Sequence, residues 1–153
     1  MRLVRAPVAG FDTALPPIGI SVDRQRLAKR LWRGTADNGV EFGFEVEVPL
    51  RNGDVVAVDR DARYVIRQIA EPLLEIPLDV TPDAGAVIGW AVGNLHFAIE
   101  AQASRILAPD DTGLRQALDR LGIHYHEVIE IFHPHRFAGN LIGHGHGHGG
   151  HTH

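Results

Sequence analysis

Apolar and polar residues alternate with a period of two along the first half of the chain. The clearest run is VEFGFEVEVPL, residues 40–50, where Phe42, Phe44, Val46 and Val48 alternate with Glu41, Gly43, Glu45 and Glu47. One face of such a strand is buried and the other is wet. Asp37-Asn38-Gly39 precedes it and reads as a hairpin turn. The stretch before that turn, GISVDRQRLAKRLWRG, has no sustained helical period and stops at Gly34, so it reads as strand. Arg51-Asn52-Gly53-Asp54 is another turn, and VVAVD after it another strand. Residues 1 to about 66 therefore read as a small all-β unit.

The second half changes period. PLLEIPL is a strand, and Thr81-Pro82-Asp83 opens a helix with a capping residue, a proline at its first position and an acid at its positive end. This helix is expected to run to about Val92 and stop at Gly93-Asn94. HFAIEA and SRILAP read as a strand pair. DDTGLRQALDRLG reads as a helix with Leu114, Ala117, Leu118 and Leu121 on one face and Gly122 at its end. IHYHEVIEIF is the last strand, with Ile123, Tyr125, Ile129 and Ile131 toward the core. The order β-α-β-β-α-β is the ferredoxin-like split βαβ pattern. The chain is thus expected to be α+β. Residues 1–68 would form a β-rich domain, 69–135 a ferredoxin-like domain, and 136–153 a His/Gly-rich tail with no core of its own, disordered without metal. Domains this small bury only about 60% of their unfolded surface, so association with a second copy would help them.

Composition narrows the function. No stretch of the 153 residues approaches the ~18 uncharged apolar residues of a membrane span. The first twenty residues are broken by Asp12 and Pro16-Pro17 and lack a signal peptide's apolar core, so a cytoplasmic protein is expected. The absence of cysteine removes thiolate metal sites, disulfides and Cys nucleophiles. The net charge of −4 arises in the second half, and no clustered basic surface points to nucleic acid. The cationic run RQRLAKRLWR reads as a solvated strand face, with a partner patch as the less common alternative. Catalysis has little support: neither Ser21 nor Ser104 lies in a nucleophile elbow, and no phosphate loop or His-Glu-x-x-His occurs.

Histidine carries the chemical signal. Nine of the ten lie in the last thirty residues: His124, His126, His133, His135, His144, His146, His148, His151 and His153. The end, GHGHGHGGHTH, alternates His with Gly, unlike the unbroken run of a purification tag, and reads as a metal-binding terminus. His124 and His126 share a strand face as an i, i+2 pair, either as two ordinary surface residues or as a chelating pair. His96, at the end of the first helix, is alone. A lone His beside an apolar stretch is commonly a satisfied capping residue, and one imidazole cannot hold a divalent ion. A twofold dimer could supply a second His96 across its axis. Imidazoles without thiolates suit nickel, zinc or copper(II).

Three stretches carry a family resemblance: RLAKRLWRGTADNGVEFGF with PLRNGDVV, then GWAVGNLHFAIEA, then LGIHYHEVIEIFHPHRFAGN running into the His-rich end. The chain resembles the urease accessory protein UreE family, the nickel metallochaperones of that system. The resemblance implies a β-rich peptide-binding-like domain followed by a ferredoxin-like metal-binding domain, acting as a homodimer. It implies Ni(II) as cargo, with Zn(II) or Cu(II) bound in vitro, and delivery with the accessory GTPase to the apo-urease accessory complex. His96 corresponds to the interface metal ligand of the family's Gly-Asn-Arg-His motif, here Gly93-Asn94-Leu95-His96, with Leu95 in place of Arg. The tail residues His144, His146, His148, His151 and His153 carry over as a group, and His124, His126, His133 and His135 by position. Two rival readings are a nickel or zinc buffer, and a protein-interaction module acting through the N-terminal β domain.

Overall fold

In the computed structural model, which describes residues 1–135, the alternating run around Phe42 forms β4 (Glu41–Glu45). The turn before it joins β4 antiparallel to β3 (Leu31–Thr35), with Gly39 at φ 86°. Only a residue without a Cβ adopts that conformation without strain. On the other side β4 pairs in parallel with β1 (Arg2–Val4), giving the strand order β1-β4-β3. A second sheet has the order β2-β6-β5, built from β2 (Pro17–Val22), β5 (Val55–Val58) and β6 (Arg63–Gln68).

Phe42, Phe44, Trp32, Ile20, Ile66 and Tyr64 share one core, and the cross-strand partners Trp32 and Phe44 stack with ring centroids 3.8 Å apart. Val48 departs from the expected alternation and is 72% exposed. The ladder ends at the Leu31–Glu45 pair, so the pleat no longer dictates which way Val48 points. A one-turn helix, α1 (Arg24–Leu27), also interrupts the stretch expected to be all strand. Asp23 caps it by accepting from the Arg26 N–H at 2.7 Å. Four residues are too few to show a helical period.

The remaining elements follow the order β-α-β-β-α-β: β7 (Glu71–Pro77), α2 (Pro82–Asn94), β8 (Glu100–Ala101), β9 (Arg105–Pro109), α3 (Thr112–Leu121) and β10 (His126–Glu130). Their strands form a sheet of order β10-β7-β9-β8. Leu74, Ile76, Val92, Ile106, Ala108, Leu114 and Leu118 make a second core. The chain is therefore α+β, and it divides into two units. One is Met1–Leu73 with Glu127–Phe132; the other is Leu74–His126 with, among the described residues, 133–135.

α3 is amphipathic as expected, with Leu114 and Leu118 fully buried, Asp111 capping its start and Gly122 at φ 67° ending it. Leu121, however, is 59% exposed, because it is the last residue of the helix, where the core no longer covers its side. In the last strand the inward parity also changes. Ile123 and Tyr125 pack against the second core before β10 begins, but within β10 it is Val128 and Glu130 that are half-buried. Ile129 is 74% exposed and Ile131 36%. A shift of one residue moves every following side chain to the opposite face. Of the expected strand HFAIEA, only Glu100 and Ala101 are paired, with Leu107 and Ile106. The His/Gly-rich tail expected at 136–153 lies outside the described residues.

Candidate metal centre

α2 decides where His96 stands. The helix continues through Gly93 and Asn94, expected to stop it, and ends with Leu95 as C-cap. His96 then adopts φ 62°, the left-handed conformation, and its N–H donates to the Gly93 carbonyl at 3.0 Å. Helices commonly end on such a residue, but glycine usually supplies it. His96 is the non-glycine residue with positive φ among those described, and its ring is exposed. Histidine is among the non-glycine residues that adopt this conformation most readily.

The helix that His96 follows is apolar. α2 is hydrophobic on nearly every side, yet only Ala91 and Val92 are buried. Val87 is 63% exposed, Trp90 69% and Leu95 37%. A Cβ added at Gly89 or Gly93 would meet open space. A helix apolar all round is ordinarily covered on both faces. At the other end of α2, the Asp83 carboxyl is held below the usual carboxylate range by a hydrogen bond from the Thr81 hydroxyl and by the N–H groups of Asp83 and Ala84.

His124 and His126 do come together, with ring centroids 4.7 Å apart and planes at 89°. Both are exposed. His124 precedes β10 and His126 is its first residue, so the pair sits at a strand entrance rather than within a strand. His133 and His135 flank Pro134 on a segment tied to the stretch that follows His96. The His135 N–H donates to the Ile99 carbonyl at 2.8 Å, and the His133 N–H donates to Glu100 Oε2 at 2.7 Å. His135 Nε2 lies 3.3 Å from the Ala101 carbonyl. In the tautomer with hydrogen on Nε2, that contact orients the ring and leaves the Nδ1 lone pair for a ligand, as metal-binding imidazoles are commonly held.

Glu100 was not singled out in the sequence. It accepts from the His133 N–H on one oxygen and from Gln102 Nε2 at 2.8 Å on the other, so it fastens the histidine segment. Nothing in the sequence marks a lone glutamate for that role. Among the described residues no three His, Asp or Glu side chains converge into a metal-sized group. His144, His146, His148, His151 and His153 lie outside the described residues.

The molecule is thus an α+β protein that offers imidazoles at its surface, on a split βαβ order of elements. Residues 71–153 match the family described as UreE urease accessory protein, C-terminal domain. Along more of the chain, it is similar to the urease accessory protein UreE of Sinorhizobium fredii, 31% identical over 142 residues, 92% of this chain and 88% of the relative. It is also similar to urease accessory protein UreE 1 of Brucella suis, 32% identical over 127 residues, 82% and 78% of the two chains. That of Rhizobium meliloti is 28% identical over 146 residues, 93% and 92%. The chain belongs to the urease accessory protein UreE family. Membership makes it an accessory protein of urease maturation rather than an enzyme. Among the described residues no helix is long and apolar enough to cross a membrane.

Proposed function

We propose that this protein is a nickel metallochaperone, binding Ni(II) through histidines and handing it on for assembly of the urease active site. The observation that carries the reading is His96, held in a left-handed conformation at the end of α2 beside an exposed apolar helix face. On this reading the α2 faces of two copies meet, Val87 and Trp90 are covered, and each copy contributes one His96 to a shared ion. The element order is then the ferredoxin-like metal-binding domain, and the β-rich first unit is a peptide-binding-like domain. The homodimer works in the cytoplasm with the accessory GTPase and the apo-urease accessory complex.

The tail serves as collector. His135 is fastened to Ile99, three residues after His96, a separation of at most about 11 Å. His144 follows His135 by nine residues, a reach of at most about 32 Å. The tail imidazoles can therefore visit the His96 site, and a His-Gly segment with no core forms and releases ligation at little cost. His124 and His126 supply a two-imidazole subsite. Imidazole sets of this kind also take Zn(II) or Cu(II), since affinity order alone does not favour nickel over copper.

Equilibrium dialysis against nickel tests the site assignment. The full chain should hold one tight ion per dimer and further, weaker ions. A chain ending at Ile142 should keep the tight ion and lose most of the weaker ones. His96→Ala should do the reverse. Retention of the tight ion by His96→Ala would remove His96 from the site.

A further inference from the structure

We propose that His135 is a fixed relay ligand, taking a nickel ion from the tail imidazoles and passing it to His96, and that Glu100 is the residue that positions it. The inference rests on the metallochaperone reading above and deepens it by naming the path of the ion. His135 has an exposed ring, and its backbone N–H donates to the carbonyl of Ile99, the third residue after His96.

The edge of the sheet sets the state of the ring. β8 is the outer strand in the order β10-β7-β9-β8. The Gln102 N–H donates to the Arg105 carbonyl at 2.8 Å, so by alternation Glu100 also turns its backbone groups toward β9, while those of Ile99 and Ala101 face away. Outward carbonyls on an edge strand call for donors. His135 meets both, the first with its backbone N–H at 2.8 Å and the second with ring Nε2 at 3.3 Å. A carbonyl only accepts, so the neutral ring carries its hydrogen on Nε2 and keeps a bare lone pair on Nδ1. That is the state in which an imidazole binds a metal. A freely rotating imidazole has no such selection.

Position is fixed together with tautomer. Pro134 locks its own φ and restricts His133 to extended conformations, so His133-Pro134-His135 is a stiff segment. A chain of polar side chains fastens it to β8 and β9. Arg105 pairs with Glu75 and donates from Nε to Gln102 Oε1 at 2.8 Å. That contact turns the Gln102 amide so that its Nε2 donates to Glu100 Oε1 at 2.8 Å, and Glu100 Oε2 accepts from the His133 N–H at 2.7 Å. All four of these side chains are half-buried. Glu100 acts through the backbone of His133 and is a positioning residue, not a ligand. An ion carried by the tail adds His135 Nδ1 as a donor, sheds a tail imidazole, and exchanges again onto His96. No proton moves, because the nitrogen that binds carries none.

The test uses the full chain with isotope-labelled nitrogen in its histidine rings, titrated with zinc as a diamagnetic stand-in for nickel and followed by NMR. His135, assigned by the signal lost in His135→Gln, should start with its hydrogen on Nε2. Below one zinc per chain, its Nδ1 should shift to the range of a metal-bound nitrogen while Nε2 keeps the hydrogen. Glu100→Gln sets amide against amide, and whichever way it turns, one donor meets a donor. His135 should then show both tautomers and need about tenfold more zinc, as when a ligand loses its supporting contacts. Adding Gln102→Glu exchanges donor and acceptor between the two positions, satisfies each contact again and should restore the wild-type titration. His135→Gln should keep the tight nickel ion in dialysis yet activate apo-urease at least threefold more slowly at limiting nickel. A His135 ring indifferent to zinc, hydrogen on Nδ1 in the free protein, no recovery in the double variant, or undiminished activation by His135→Gln would overturn the relay and leave the His96 site standing. A wild type without a tight nickel ion would instead overturn the metallochaperone reading, and the relay with it.

Discussion

An L-residue held in the left-handed region costs about 1–2 kcal/mol, and histidine is among the residue types that tolerate it best. His96 carries that strain at φ 62°. Replacing it with glycine should relieve the strain, whereas alanine keeps it. Chemical denaturation should therefore find His96→Gly more stable than His96→Ala by about 1 kcal/mol, with the tight nickel ion lost from both. Equal stabilities would mean that His96 leaves the left-handed region in solution. The sequence showed that a helix ends near this residue, because Gly93-Asn94 is a stop signal and a lone His follows. It did not show that His96 itself makes the stop. Side-chain chemistry normally assigns the left-handed position to glycine, and the helix here runs through two residues that could have taken it.

At the scale of elements, α3 is the best-specified piece, since Asp111, the Leu114–Leu118 spacing and Gly122 all agree. Asp111 accepts from the N–H of Gly113 at 2.8 Å and of Leu114 at 3.1 Å. Asp111→Ala should cost about 1 kcal/mol, and Leu118→Ala, which empties a fully buried position, about 2–5 kcal/mol. Thermal unfolding of the two variants should rank them in that order. The strands of the first unit were legible for the same reason: period-two alternation and turn glycines, as at Gly39 and Gly53, point to one register. α1 was missed because one turn has no period, and the face of β10 was misread because the alternation was counted from Ile123, outside the ladder. The His124–His126 pair was nevertheless legible, since proximity at i, i+2 survives the strand's late start.

For the whole molecule, the proposed association rests on α2. Trp90 is 69% exposed and Val87 63%, so Trp90→Asp should leave the single chain folded. In a dimer joined through this face the same change buries an unpaired charge, and sedimentation at tens of micromolar should show monomer in place of dimer. Acid stability reads a different set of contacts. The Arg115 guanidinium lowers the Asp110 carboxyl, the Arg2 guanidinium lowers Asp59, and the Thr81 hydroxyl lowers Asp83. Each folded-state pKa lies below the unfolded value of about 3.9. The stability these groups contribute is present at neutral pH and lost as the pH falls below that value. Urea midpoints should stay level from pH 7 to 5 and fall below pH 4, and Arg115→Gln should reduce the fall.

The central claim is that nickel passes through His96 to urease, and activation of apo-urease by nickel-loaded protein tests it most directly. With the accessory GTPase and limiting nickel, the full chain should activate urease, the chain ending at Ile142 should activate it less efficiently, and His96→Ala should fail although its tail still binds metal. Full activation by His96→Ala, with activation lost on truncation, would contradict the account and make the tail the donor.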